Sequence, residues 1–196
     1  MLKLDNDAAD LLFREAHTAN SFSADAVSDE QLQEIWDLVR WAPTGGNANP
    51  GRLLVVRSPE ARERLVAHMS ESNRAKTLAA PLTVVTAADT RFHELLGTLT
   101  PDRPAAAQRL ADDPQARERL ATLSATLFTA YFLIGVRAAG LAAGPMGGFD
   151  RAGVDAEFFP DGRWRSILVV NVGVPAPDGF SQRQPRLPFS EVARVV

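Results

Sequence analysis

The sequence lacks several of the residue types and motifs from which self-sufficient enzyme sites are built. It contains no cysteine, which excludes disulfides, thiol nucleophiles and cysteine-ligated metals. Its three histidines, His17, His68 and His93, are far apart in sequence, and no pair has metal-ligand spacing on one helix face. No GxGxxG, P-loop, HExxH or GxSxG motif is present. We therefore predict no metal site, and we expect a bound cofactor to carry any reaction.

Charge and hydropathy exclude two further classes of protein. The net charge is −3, and the basic residues are mostly arginines scattered among acids, which argues against nucleic-acid binding. No stretch approaches the roughly 18 consecutive apolar residues of a membrane span. Residues 1–7 lack the apolar segment of a signal peptide. We expect a cytoplasmic protein with no membrane partner.

The pattern of elements predicts one domain over residues 1–196, with a sheet between helices. The 196 residues are 45% apolar, enough for one core, and neither a repeat nor a linker interrupts them. Strands are predicted at 53–57, 82–88, 164–173 and, briefly, 141–143. Helices are predicted at 8–18, 29–40, 59–70, 73–80, 90–97, 115–139 and 150–158. Ser28 and Gln31 predict a capping box, and 98–114 reads as the least ordered segment. The order favours an α/β or α+β sandwich.

The longest predicted helix, 115–139, changes character along its length. Its first half is charged, whereas 127–136 is apolar nearly all round. A helix of that kind is usually buried, either in the core or between subunits. Gly140 is placed to end it as the residue after the C-cap.

Two loops are almost without side-chain bulk, at 41–52 and 144–150. In the first, Gly45 and Gly46 permit a close approach by a ligand. Such a loop can press peptide groups against a flat polar ligand, or it can be an ordinary helix-to-strand connection. Asn73 and Lys76 share a helix face and offer an amide and a cation, although a surface pair would look the same.

Taken in order, these pieces resemble the flavin-dependent nitroreductase family, from about residue 10 to residue 193. Within it they most resemble the malonic semialdehyde reductase branch linked to pyrimidine degradation. The shared motifs are Asn-x-x-Pro-x-Arg at 47–52, Lys-Thr-Leu at 76–78, Gly-Pro-Met at 144–146, Gly-Phe-Asp at 148–150 and Pro-Arg-Leu at 185–187.

The resemblance implies an α+β three-layer sandwich, with a central, mostly antiparallel sheet and helices on both faces. It also implies an intertwined homodimer that holds two FMN molecules at its interface and takes electrons from NADPH or NADH. The residues implied along the flavin of the partner chain are Pro43, Thr44, Gly45 and Asn47. Those implied beside the isoalloxazine and the ribityl chain are Asn73, Lys76, Pro145, Gly147 and Gly148, of which Lys76, Gly147 and Gly148 are the catalytic candidates.

The residues implied to hold the phosphate of FMN depart from the family pattern. Arg186 matches a phosphate-binding arginine, but His17 stands where the family usually has an arginine, and Asn20 stands where it often has another basic residue. With Thr18, these residues form the polar patch expected at the phosphate. Arg14, Arg183 and a protonated His17 are the candidates to replace the lost cation.

Three activities fit the resemblance. The first is an FMN-dependent NAD(P)H oxidoreductase acting on a small aldehyde, enal, quinone or nitro compound. The second is a flavin-dependent dehydrogenase or oxidase of a biosynthetic pathway, with O2 as acceptor. The third is a nitroreductase-like protein without reductase activity, in which flavin binding has weakened because the arginine is missing.

Overall fold

The sheet is antiparallel throughout and has four strands. The computed structural model of the protein describes residues 3–196. Met1 and Leu2, part of the segment considered above for a signal peptide, lie outside the described residues. The strands are β1 (Gly51–Val56), β2 (Leu82–Asp89), β3 (Ala142–Met146) and β4 (Trp164–Gly173), in the order β1-β2-β4-β3. The predicted α+β class with an antiparallel sheet is confirmed.

Helices cover both faces of this sheet. Their bounds are α1 Asn6–Ala9, α2 Asp29–Val39, α3 Pro59–Ala67, α4 Glu71–Ala79, α5 Leu96–Leu99, α6 Ala105–Asp112, α7 Pro114–Ala138, α8 Arg151–Phe158 and α9 Phe189–Val192. A π-helical turn, Asp10–Arg14, follows α1, and 3-10 turns lie at Gly45–Asn47 and Phe92–Leu95.

The central strands β2 and β4 separate two apolar layers. Val84 pairs with Val170 and Val85 pairs with Val169. Because successive side chains of a strand point to opposite faces, the first pair joins the cluster formed with α2 and α7, and the second joins the cluster formed with Leu65 of α3. All eight residues of β2 are buried, as expected of a strand that is covered on both faces.

Local signals of the sequence account for several element ends. Ser28 Oγ accepts from the backbone N–H of Gln31 at 3.2 Å, and the Gln31 side chain accepts from the N–H of Ser28 at 3.0 Å, so the predicted capping box is present. Gly140 takes φ of +74° one residue after the C-cap of α7, as its predicted position requires.

Three sequence predictions about elements are wrong. The segment 98–114 contains the helix α6, whose alanines favour helix and whose Leu110 is buried in an apolar cluster. The helix predicted at 8–18 ends at Arg14, because residue 19 makes a backbone hydrogen bond to Ala143 instead. Strand β3 runs to Met146, so the second loop begins only at Gly147.

Helix α7 packs along the sheet and also leaves one apolar face uncovered. Phe128, Phe132 and Val136 lie in the core between α2 and the sheet. Leu123, Leu127 and Tyr131 are exposed by 61%, 43% and 41%. By length and composition, α7 could also cross a membrane, but its packing on the sheet is that of a core helix.

Helices α2 and α7 cross closely at Gly135. A β-carbon there would lie 2.3 Å from Cγ1 of Val39 and 3.2 Å from Cγ2 of Ile35. Both neighbours are buried, so the interface has little room to adjust. The absence of a side chain at this position therefore sets the distance between the two helices.

We predict that Gly135→Ala destabilises the protein by about 1–3 kcal/mol, since overpacking outweighs the gain in helix propensity. Urea unfolding followed by circular dichroism measures the change. Gly97→Ala is the matched control, because a β-carbon there meets nothing within 4 Å. When Val39→Ala is already present, Gly135→Ala should lose most of its destabilising effect, because the Cγ1 atom that its β-carbon would approach is gone. If the two changes in the free energy of unfolding simply add, the packing explanation is wrong.

Candidate flavin site

A cavity of about 370 Å³ opens between the segment after the π-helical turn, the end of α7, β3 and the chain after β4. Six of the sequence-predicted site residues line it: His17, Thr18, Asn20, Pro145, Arg183 and Arg186. Its lining contains three arginines and a histidine but neither aspartate nor glutamate among the described residues. A concave site with several cations and no carboxylate suits an anionic group.

Backbone contacts hold the polar segment of residues 17–20 in the cavity wall. The N–H of Ala19 donates to Ala143 O at 3.0 Å, and the N–H of Asn20 donates to Gly179 O at 2.8 Å. The Asn20 amide also donates to Ser181 Oγ at 3.2 Å. These contacts pin the segment between β3 and the chain after β4, so that His17 and Thr18 reach the cavity.

Arg137, on the last turn of α7, is the charged residue of the cavity lining that sequence reasoning missed. Its Nη2 donates to the carbonyl of Leu11, whereas its Nε is buried and has no hydrogen-bond partner among the described residues. Burial lowers the pKa of Arg137, the nearby Arg183 lowers it further, and Glu15 opposes them. One signal was available, because Arg137 is the first charged residue after Arg119 along the helix.

Of the three cations expected to replace the missing arginine, two line the cavity. These are His17 and Arg183. Arg14 is instead bound to Asp10, with Nε to Oδ1 at 2.7 Å, and its Nη2 donates to the side chain of Asn6 at 3.1 Å. The guanidinium of Arg186 donates only to nearby backbone carbonyls at 2.9 and 3.2 Å.

Asn73, Lys76, Gly147 and Gly148 form a second group, next to the cavity. The Asn73 amide donates to Gly148 O at 2.9 Å, and a β-carbon at Gly148 would lie 2.8 Å from that amide. Gly147 is exposed and immediately follows β3. Pro145 lines the cavity and Gly147 directly follows β3, so the loop that begins at Gly147 starts two residues from the cavity wall.

The turn of α4 that carries Lys76 is fixed to the sheet. The buried Asn171 of β4 donates to the carbonyl of Lys76 at 3.2 Å, and the hydroxyl of Thr83 donates to Asn171 Oδ1 at 2.9 Å. Thr77, also buried, contacts the sulfur of Met146 at 3.8 Å. The side chain of Lys76 is half-buried. Contacts of the buried face of α4 thus fix the position of the helix that carries Lys76.

The remaining predicted residues, Pro43, Thr44, Gly45 and Asn47, lie elsewhere. Their loop is ordered by its own contacts, with the Gly45 N–H donating to Ser124 Oγ at 3.1 Å and the Asn47 amide donating to Leu99 O at 2.9 Å. Asn47 has φ of 56°. The loop leads into β1, which is at the opposite edge of the sheet from β3. Three strand spacings, roughly 14 Å, separate those edges.

Comparisons with known proteins identify the family. The model of the nitroreductase family matches residues 14–174. A Streptomyces coelicolor protein, provisionally named an NADH dehydrogenase/NAD(P)H nitroreductase, is 54% identical over 195 residues, which cover 100% of this chain and 99% of that protein. A Rhodopseudomonas palustris protein of the same name is 42% identical, with 95% of each chain covered.

Solved structures with 19% sequence identity share the fold. A Bacillus subtilis protein assigned as a nitroreductase superposes with a TM-score of 0.84 over 94% of this chain and 97% of that one. An Exiguobacterium sibiricum protein, assigned as a nitroreductase and solved in complex with FMN, superposes with a TM-score of 0.85 over 100% of both chains. With the sequence relatives and the matching family model, these similarities lead to one conclusion: the chain belongs to the nitroreductase family.

Proposed function

We propose that the protein is an FMN-dependent oxidoreductase that uses NADPH or NADH to reduce a small aldehyde, enal, quinone or nitro compound. The observation that carries this proposal is the arginine-lined cavity, whose wall includes Pro145 of β3, together with the Asn73–Gly148 contact that joins α4 to the loop after that strand. The names of the sequence relatives and the FMN of the Exiguobacterium structure support it.

The cavity residues fit the phosphate of FMN. Arg183 and Arg186 offer guanidinium groups, which can bind phosphate with two parallel hydrogen bonds. His17 adds a ring nitrogen, and Thr18 and Asn20 add a hydroxyl and an amide. The lining provides no carboxylate to compete for these donors. We assign this cavity to the phosphate and the surface beyond β3 to the ring system.

When bound, FMN supplies the chemistry of the reaction, since it accepts a hydride from a nicotinamide and passes it to an acceptor. Lys76 would place a fixed positive charge beside the part of the ring that becomes electron-rich on reduction, which favours that reduction. Asn73, bonded to Gly148, holds the loop against α4. The contact of Asn171 with the Lys76 carbonyl keeps the helix that carries the charge from shifting.

Gly147 and Gly148, in the loop after β3, set the space available to substrates. A β-carbon at Gly147 would meet, among the described residues, only Leu168 Cδ2 at 3.8 Å, and Gly147 is exposed to solvent. Gly148, in contrast, must lack a side chain to pack on Asn73. An open surface here allows nicotinamide and acceptor to use the same place in turn. Within this class, malonic semialdehyde is the acceptor that we propose, on the motifs shared with that branch.

The experiment that tests the proposal is anaerobic reduction of the FMN-loaded protein. We predict that NADPH or NADH bleaches the flavin absorbance, and that malonic semialdehyde, an enal, a quinone or a nitroarene restores it in a second mixing step. Reduction by neither nicotinamide, with turnover of an electron donor under O2, would favour the dehydrogenase or oxidase. Failure to bind FMN would favour the protein without reductase activity.

Lys76→Ala should slow hydride transfer to FMN by about tenfold or more while changing the free energy of unfolding by less than about 0.5 kcal/mol. Stopped-flow reduction at saturating FMN measures the first quantity, and urea unfolding the second. Lys76→Arg should recover much of the rate because it keeps the charge. Arg74→Ala is the matched control, since it removes a cation from an exposed position of the same helix. An unchanged reduction rate in Lys76→Ala would leave Lys76 as a surface cation.

A second copy of the chain would complete the site. The loop of residues 43–47 and the β3 surface lie at opposite sheet edges, so one chain does not bring them together around one flavin. The uncovered α7 face and the exposed Leu187 and Phe189 of the C-terminal segment offer apolar area for such a partner. We infer an intertwined homodimer acting in the cytoplasm.

We predict a dimer by light scattering at micromolar concentration. Leu127→Glu, on the exposed face of α7, should shift it toward monomer and weaken FMN binding at the same time, because a charge would be buried in the interface. Circular dichroism verifies that the variant remains folded. A wild-type monomer that binds FMN tightly would contradict the shared site.

A further inference from the structure

The guanidinium of Arg137 combines a buried nitrogen, unpaired among the described residues, with a place in the cavity wall. It lies in the cavity wall. Among residues 3–196, its buried Nε has no hydrogen-bond partner, and its Nη2 donates to the carbonyl of Leu11. A buried cationic donor without an acceptor costs free energy. No described residue provides Arg137 Nε with an acceptor that would offset this cost.

The charged groups around Arg137 also favour an anion beside it. Arg183 lies close enough to disfavour the charge on Arg137, and Glu15, the acid that acts on it, does not line the cavity. Of the ion pairs between residues 3 and 196, none includes Arg137 or Arg183. Two guanidinium groups that face one cavity repel each other until an anion lies between them.

The backbone at Arg137 is held rigidly, unlike the segment that carries Arg183 and Arg186. Its neighbours Gly135 and Val136 are buried against α2 and the sheet, and the carbonyl of Val136 accepts from the N–H of Leu141 at 3.1 Å. Arg183 and Arg186 belong to an exposed segment. A fixed cation loses little conformational entropy when it binds a ligand.

We propose that Arg137 binds the phosphate of FMN and thereby selects FMN over riboflavin. It replaces, from the end of α7, the cation that the family usually places at position 17. This inference rests on the proposed function, since it names a binding residue of the same site. His17 then has only to contribute a hydrogen bond.

The competing explanation is that Arg137 only holds the π-helical turn through the Leu11 carbonyl. That role acts on the fold and would affect both flavins alike. The phosphate is the group that distinguishes FMN from riboflavin, so the ratio of the two affinities separates the explanations. The ratio does not depend on turnover.

The test is a titration of apoprotein with FMN and with riboflavin, followed by flavin fluorescence. We expect Arg137→Gln to weaken FMN by about tenfold or more, since a charge-assisted contact is lost, and to change riboflavin affinity by less than about threefold. Arg137→Lys should lie between wild type and Arg137→Gln. Arg14→Gln, a neighbouring arginine outside the cavity, should leave the ratio unchanged. Equal losses for both flavins, or no loss of FMN affinity, would overturn the inference.

A thermal-shift titration with inorganic phosphate keeps the two proposals distinct. Wild type should gain thermal stability with millimolar phosphate, and Arg137→Gln should lose most of that gain. If wild type binds neither flavin, the proposed function fails, and the phosphate titration alone decides the role of Arg137. Phosphate protection that is equal in both proteins would then reject it.

Discussion

The packing of α7 against the central strands is the interaction on which the rest of the molecule depends. Phe128, Phe132 and Val136 fill the layer between α2 and the sheet, and the bare α-carbon of Gly135 lets the two helices approach. The same helix orders the 43–47 loop through Ser124 and carries Arg137 into the cavity. One buried apolar stripe thus positions both the 43–47 loop and the cavity wall that contains Arg137.

The cavity brings together three arginines that form no ion pair with residues 3–196. Its arginines come from α7 and from the segment after β4, and its histidine from the segment before α2. Folding brings the arginines together against their mutual repulsion. The apolar core offsets the free energy of that repulsion, as in other proteins in which a local departure from the most stable arrangement is compensated elsewhere.

Much of the fold was predictable because the relevant signals are local. The strand 164–173 was predicted with its observed bounds, and Ser28 and Gly140 marked helix ends. Helix α6 was missed because its stability depends on burial of Leu110, a tertiary contact. Arg137 was missed because a charge at the end of an apolar helix looks like an ordinary helix terminus. The role proposed for Arg137 can be recognised only in the folded chain, where residues 17 and 183 line the same cavity.

The strand order has a consequence for genetics. A substitution in the 43–47 loop and a substitution around the β3 surface damage opposite edges of one chain. In the proposed dimer, each flavin takes one edge from each subunit. A mixed dimer of two such defective chains therefore has one site with both defects and one with neither. Alleles at the two edges should complement each other in a cell that expresses both, whereas alleles at the same edge should not.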